Sequence, residues 1–423
     1  MEEINKKVIT NNKKSVIKMY GKTVSYKLIC VAIGFINSML INRCLGVALR
    51  GEYTTITNWA SLLQLFLNLG VGTTYPAFKR KYPKESKMIF TTLGFSMSGI
   101  YLIILIIAFF FVDIEYKYIG LIAYLTTMEN FLIFIAIVED VSKRNIINIV
   151  TSFCHTCVLG IIFIFARYNL DAVLISIILN HVVLCVAFLS FYKVKKVNFK
   201  VMSMDLIKEI FIIAIPAMFM NMLMYLNYHA DVLFLSEMTK DSVEVGLYGT
   251  AVTLGNMLWI VPDAFKDIIY NRVAKKDNTS EVIVAILCNI VICSVFLIGF
   301  IICGKWFLKT MYGIEYISAY PLVLMLFFGT FPMILYKLIH PVYIANGKTK
   351  IVVYLLGIAV IINIVANIIL IPKYKGIGAA IASIISYMIC GIAFLLKFIK
   401  DYDISLFLII KKISNIIYEK MNR

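Results

Sequence analysis

The chain has 423 residues, of which 61% are hydrophobic and only 15% charged, with a mean hydropathy of +0.88. Soluble proteins carry about 25% charged residues, and the apolar residues here run in long blocks rather than at amphipathic spacing. A soluble enzyme, a nucleic-acid-binding module and a disordered chain are therefore excluded, and the composition specifies an all-α polytopic membrane protein.

Blocks long enough to cross a bilayer fall at 23–45, 54–76, 88–112, 118–138, 146–166 and 171–192. A second set follows at 210–236, 246–270, 282–303, 317–345, 350–371 and 377–397. The first 21 residues are polar and lysine-rich and lack the apolar core of a removable signal peptide, so the first span is expected to act as its own insertion signal. With the N-terminus on the cytoplasmic side, 31 of the 41 basic residues lie in cytoplasmic segments and nine in outer loops. This asymmetry accounts for the net charge of +17 and predicts twelve helices with both termini cytoplasmic. Every outer loop is short, so there is no room for an outer catalytic domain. The nine cysteines lie mostly within apolar runs and suggest no disulfide framework.

The chain also repeats. Gly51-Glu52-Tyr53 opens the second span and Gly246-Leu247-Tyr248 the eighth, an offset of 195 residues; Ser176-Ile177-Ile178 and Ser383-Ile384-Ile385 form a weaker echo. Six helices per repeat is an even number, so both halves insert in the same orientation, which predicts two six-helix lobes about an axis along the membrane normal. The division expected is 1–201, 202–397 and a tail at 398–423. Between the lobes, Lys193–Ile210 reads as a basic linker with a short surface helix. In the tail, Leu406, Ile409, Ile410, Ile413, Ile416 and Ile417 form one stripe of a helix lying on the inner leaflet.

Several stretches resemble a known family. Leu45-Gly46 with Gly51 and Tyr53, Asp231 in NYHADVLFLSE followed by Gly246-Leu247-Tyr248, and Asn367 with Leu370-Ile371-Pro372 and Gly376–Ala382 are similar to lipid-linked oligosaccharide flippases. These belong with the multidrug exporters and the peptidoglycan-precursor flippases. The resemblance implies a multi-pass protein of the bacterial cytoplasmic membrane. It implies two six-helix lobes around a central cavity that opens to alternate sides for an oligosaccharide on a polyprenyl pyrophosphate carrier, with a polysaccharide polymerase and glycosyltransferases as partners. It implies no enzymatic step and no nucleic acid.

Ionisable residues at membrane depth are functional candidates by default. Lys337 and His340, three apart on one helix face, are candidates for the cavity, Lys337 being read either as the cation for the pyrophosphate or as a lysine snorkelling to the surface. Arg43 is read as an interfacial anchor or a lumen contact. Asn227 and Asp231, four apart, suit a polar lining or an interhelical hydrogen bond. No nucleotide site is read in the sequence, which leaves an ion gradient or downhill flow drawn by consumption of the product; for a gradient, Asp231, then Glu129, then Asp263 are candidates for holding the coupling ion, H⁺ or Na⁺, the alternative for Asp231 being a salt bridge that pins two helices. His155 and His181 read as packed helix histidines. Cys154-His155-Thr156-Cys157 lacks a second pair for a metal. Gly347-Lys348-Thr349 lacks the first P-loop glycine, since position 342 is Val. Asp401-Tyr402-Asp403 has no soluble domain around it. No cofactor is expected. Six of eight prolines follow residue 200, and three of them, Pro321, Pro332 and Pro341, predict a bent tenth span lining the cavity or plain packing kinks.

The competing functions are an exporter of cationic drugs, which an acidic cavity would favour, and a membrane-embedded glycan polymerase or glycosyltransferase, which the short outer loops disfavour. The charge asymmetry makes a direct prediction. A single cysteine at Asn12 or Asn422 should resist an impermeant thiol reagent in intact cells, and labelling at either position would break the twelve-helix topology.

Overall fold

A computed structural model describes residues 2–194, 197–273 and 279–402. The described chain is helical, with no strand. The helices are α1 (Glu2–Asn68), α2 (Val71–Lys81), α3 (Ser86–Phe109), α4 (Ile114–Glu139), α5 (Val141–Phe165) and α6 (Leu170–Phe191). There follow α7 (Met204–Thr239), α8 (Ser242–Leu258), α9 (Ile260–Val273), α10 (Thr279–Met311), α11 (Tyr320–Ala345) and α12 (Thr349–Asp401).

Ten apolar stretches are long enough to cross a membrane, and two of them, Ile29–Lys81 and Thr349–Asp401, are 53 residues each. At 1.5 Å per residue each would extend about 80 Å if straight, far more than a ~30 Å hydrocarbon layer. Both fold back. In α1 the reversal is at Gly46, whose φ of 70° suits glycine. Arg50 Nε donates to Asn42 Oδ1 at 2.6 Å across it, although eight residues of straight helix would span about 12 Å. Both arms return to the same end: Tyr26 lies against the Arg144 guanidinium at 5.8 Å, and Lys79 pairs with Glu139 at 2.6 Å. In α12 the reversal is at Lys375 (φ 49°), and Ser386 Oγ donates to the Ala359 carbonyl of the facing arm at 2.9 Å. The ten stretches thus make twelve crossings.

Three local expectations differ. The linker forms a 3₁₀ turn at Phe199–Val201, and its predicted surface helix is the start of α7, capped by Ser203, which accepts from the Leu206 N–H at 3.2 Å. Span ten stays one helix, α11, through Pro332 and Pro341, which leaves a bend or plain packing kinks and removes only a full break. The interruption falls instead in span eight, at Trp259 between α8 and α9. The stripe from Leu406 to Ile417 lies outside the described residues.

The apolar core divides with the repeat. One buried cluster runs through α7 to α12, and three smaller ones lie among α1 to α6, with the first turns of α7 added to the largest of these. The halves meet where α1 packs on α8 and α7. That crossing is pseudo-symmetric. A Cβ at Gly51 would run into the Ser242 carbonyl, and one at Gly246 into the Val47 carbonyl. Ser242 is the 195-residue equivalent of Val47, as Gly246 is of Gly51. The two repeat glycines therefore bring the lobes into backbone contact at the lysine-poor end.

Overpacking typically costs about 1–3 kcal/mol, so Gly246→Leu should open this crossing. In a cysteine-free background, a cysteine at Thr253 should then label about tenfold faster from the lysine-poor side, tenfold being ~1.4 kcal/mol. An unchanged rate would mean that the crossing does not seal the interior.

Candidate substrate cavity

Beneath the glycine crossing lies a cavity of about 290 Å³ between the lobes. Each wall comes from one helical stripe at i, i+3/i+4 spacing: Asn37, Ser38 and Ile41 on the first arm of α1, and Arg50, Thr54, Thr57 and Asn58 on the second. His229 and Val232 of α7, and Gly249, Val252, Thr253 and Asn256 of α8, complete it. Gly34, Thr253 and Asn256 also line a second space of about 420 Å³, bounded by Cys30 and Val31 of α1 and by Met257 and Ile260 at the α8–α9 break. The cavity therefore extends between α1 and the broken span eight toward the lysine-rich end.

The lysine-poor end is tied shut. Arg43 donates to the Met311 carbonyl at 2.8 Å and to that of Thr310, and the Tyr316 hydroxyl donates to the Asn42 carbonyl at 3.1 Å. Lys375 pairs with Asp241 at 3.2 Å, and the Gly376 N–H donates to Glu244 at 3.0 Å. Asp241 caps α8, and the Glu244 N–H it accepts, ahead of Lys375, holds its carboxyl below the usual range.

Arg50 sits at the sealed end, next to Gly51, with 7% of its surface exposed. Its guanidinium donates to Asn42 (2.6 Å), Thr54 (2.8 Å) and Thr253 of the opposite lobe (3.2 Å), and lies over the Tyr53 ring at 4.7 Å. All these partners are neutral. Among the described residues no carboxylate pairs with Arg50 and none lines the cavity. The site thus offers a cation, three amides, several hydroxyls and His229, whose Nδ1 is unpartnered and whose ring stacks on Tyr225 at 4.7 Å.

The family can now be assigned. A family profile described as "Polysaccharide biosynthesis protein" matches residues 20–261, more than half of the chain. The chain belongs to this polysaccharide biosynthesis family. No curated protein sequence matches it. Among solved structures it is similar to the lipid II flippase MurJ in an inward closed conformation. That match has 14% identity over 95% of this chain and 99% of that one, with a TM-score of 0.68. It is similar to an inward-facing multidrug resistance MATE transporter of the MOP superfamily, with 14% identity, 88% and 93% coverage and a TM-score of 0.62. A mutant of the Vibrio cholerae MATE transporter VcmN matches with 16% identity, 92% and 97% coverage and a TM-score of 0.57. At these identities the likeness establishes the fold, that of the MOP transporters.

Within this family fold, the residues ranked from sequence lie largely outside the cavity. Lys337 is buried and does not snorkel. Its ammonium sits 3.0 Å from both oxygens of Asp263, over the rings of Trp259 (4.8 Å) and Tyr228 (5.4 Å), and Asp263 also pairs with Lys266 at 3.2 Å. His340 faces its own helix, its Nδ1 2.9 Å from the Tyr336 carbonyl and its ring stacked on Tyr336. Arg43 ties the end of α10. Asn227 accepts from Ser386 at 2.8 Å, and its own amide nitrogen is buried without a partner. Asp231 accepts from the Val232 N–H (2.8 Å), the Ser383 hydroxyl (2.7 Å) and the Tyr248 hydroxyl, joining α7, α8 and α12. Glu129 meets His181, and His155 lies 3.3 Å from Ser176.

Sequence reasoning missed Arg50 because it was counted with the outer-loop charges. The signal was present in the polar stripe Arg50, Thr54, Thr57 and Asn58 on one face of an apolar helix.

Breaking a buried ion pair from one side costs roughly 3–5 kcal/mol, whereas removing both charges is far cheaper. Lys337→Met should therefore reduce the amount of folded protein, and adding Asp263→Asn should restore it, as measured by thermal unfolding in detergent. If the double variant is no better than the single one, the pair does not hold α11 to α9.

Proposed function

We propose that this protein exports a polyprenyl-pyrophosphate-linked oligosaccharide across the bacterial cytoplasmic membrane by alternating access, as part of surface polysaccharide synthesis. The lysine-rich end is the cytoplasmic one. The observation that carries the reading is Arg50, a buried guanidinium in a cavity without carboxylates, within a chain of the polysaccharide biosynthesis family. An anionic pyrophosphate needs such a donor at membrane depth, and guanidinium geometry suits phosphate oxygens. The amides and hydroxyls around it replace the water that a sugar headgroup loses on leaving the aqueous phase.

The mechanism follows from the placement. The headgroup enters from the cytoplasmic leaflet between α1 and the α8–α9 break, while the polyprenyl chain stays in the bilayer. Arg50 lies just inside the closed glycine crossing, so an anion passing to the outer leaflet passes this guanidinium as the crossing opens. The energy comes from an ion gradient, taken up by a carboxylate at membrane depth, or from downhill flow drawn by consumption of the product. A polymerase and glycosyltransferases act after and before the export step. The chain itself performs no covalent chemistry. No carboxylate lines the cavity that holds Arg50, and the two carboxylates Glu115 and Glu237 line a separate, largely apolar pocket of about 580 Å³ between α1, α4 and α7.

A charge-assisted hydrogen bond contributes about 1.5–3 kcal/mol, roughly a ten- to hundredfold change in affinity. Arg50→Gln should lower export of lipid-linked glycan by at least about tenfold at normal protein level, and Arg50→Lys should retain more. Undiminished export by the glutamine variant would remove Arg50 from the substrate path.

A further inference from the structure

The first lobe holds a second ionisable pair, remote from the cavity. Glu129 of α4 and His181 of α6, 52 residues apart, meet with Nδ1 and Oε2 at 2.5 Å. Both lie at mid-depth. Glu129 is ten residues from one end of α4 and fifteen from the other, and His181 is near the middle of α6. We propose that Glu129–His181 is a proton-binding site of the first lobe, and that export is coupled to the proton gradient through it. This rests on the transport reading above and names the ion and the residues that take it.

Three features separate the pair from a bond that only pins two helices. First, it is unsaturated. Glu129 Oε1 and His181 Nε2 have no hydrogen-bond partner among the described residues, and the two side chains are 16% and 19% exposed. Asp231 differs, since three donors engage both of its oxygens.

Second, no stronger charge fixes its protonation state. The groups facing it are His155 of α5, bound to Ser176, and Cys185 of α6, whose thiol donates to the Leu125 carbonyl. Asn68 of α1 bonds Asn130, and α3 presents Ser98 to Tyr124 and Tyr101 to the Leu67 carbonyl. The Tyr75 and Lys79 side chains of α2 are engaged at Glu139, at the helix end. No Lys or Arg among the described residues pairs with Glu129.

Third, the chemistry suits exchange. A carboxylate beside a neutral imidazole carries one net negative charge, and one added proton makes the pair net neutral. Imidazole exchanges protons near neutral pH. Loading changes the attraction between α4 and α6. Helix α4 packs on α1, to which Asn130 is bonded through Asn68 at 2.7 Å, and both arms of α1 line the cavity. Coupling requires that this change in attraction favour one lobe arrangement over the other.

The test reads proton binding apart from export. Proton uptake by detergent-purified protein is measured while the infrared carboxyl, carboxylate and imidazole bands are followed. A protonation event that is lost in Glu129→Gln and altered in His181→Gln supports the site; uptake and spectra unchanged in both variants overturn it. In cells, export should lose its response to a protonophore in Glu129→Gln and in the milder His181→Gln, and keep it in Asp231→Asn. Loss in Asp231→Asn with retention in both others would overturn the coupling assignment. A titrating Glu129 band with no protonophore-sensitive glycan export would overturn the coupling and leave the proton site standing.

Discussion

The fold depends on one close approach, the backbone contact of α1 and α8 at Gly51 and Gly246. Helices normally pack 8–10 Å apart because side chains intervene; here neither helix has a Cβ at the crossing, and carbonyls from the other lobe fill the space. The contact obeys the internal repeat, each glycine meeting the residue four positions before its counterpart. Two residues after each glycine a tyrosine turns into its own lobe. Tyr53 lies beneath the Arg50 guanidinium, while Tyr248 donates to the Asp231 carboxylate. The same short motif thus closes the lysine-poor end and places one aromatic residue against a cation and another against an anion.

The charges at membrane depth are compensated in unequal ways. Lys337 and Asp263 compensate each other, with aromatic faces adding to the cation's partners. Asp231 is held by hydroxyl and amide donors without a cation. Arg50 has only neutral acceptors. An uncompensated ion in hydrocarbon is costly, and what lowers the cost at Arg50 is the cavity itself, a polar space open toward one side of the membrane. Lys337, Asp263 and Asp231 hold helices together, and Arg50 faces the cavity.

Much of the fold was legible in the sequence because one physical rule dominates it: apolar runs of membrane length and lysine asymmetry locate the crossings. The reversals at Gly46 and Lys375 fall between the predicted spans, and the 195-residue offset relates the two glycines of the crossing, though their contact was not legible in it. The site was less legible. Glu129 and His181 are 52 residues apart, Asp263 and Lys337 74, and Asp231 and Ser383 152, and no local periodicity links residues so distant. The shared face of Lys337 and His340 follows from helical spacing, but spacing does not say what opposes that face. Opposite Lys337 stood Asp263, and His340 turned to its own helix's carbonyl. The break in span eight was missed because proline count drew attention to span ten, whereas the chain bends at Trp259, three residues before the single Pro262.

The sign of the cavity's charge then decides what it can admit. At ~5 Å and an effective dielectric near 20, a unit charge interacts with Arg50 by about 3 kcal/mol. An anion gains that amount and a cation loses it, a difference of roughly 6 kcal/mol before any contact is optimised. Hydroxyls and amides add donors and acceptors without changing the sign, so a polyhydroxylated headgroup finds partners while a lipophilic cation finds repulsion and polar surface it cannot satisfy. Because Arg50 adjoins Gly51, this discrimination acts at the crossing itself. The glycine that lets the lobes close has, as its neighbour in sequence, the charge that any group passing between them must meet.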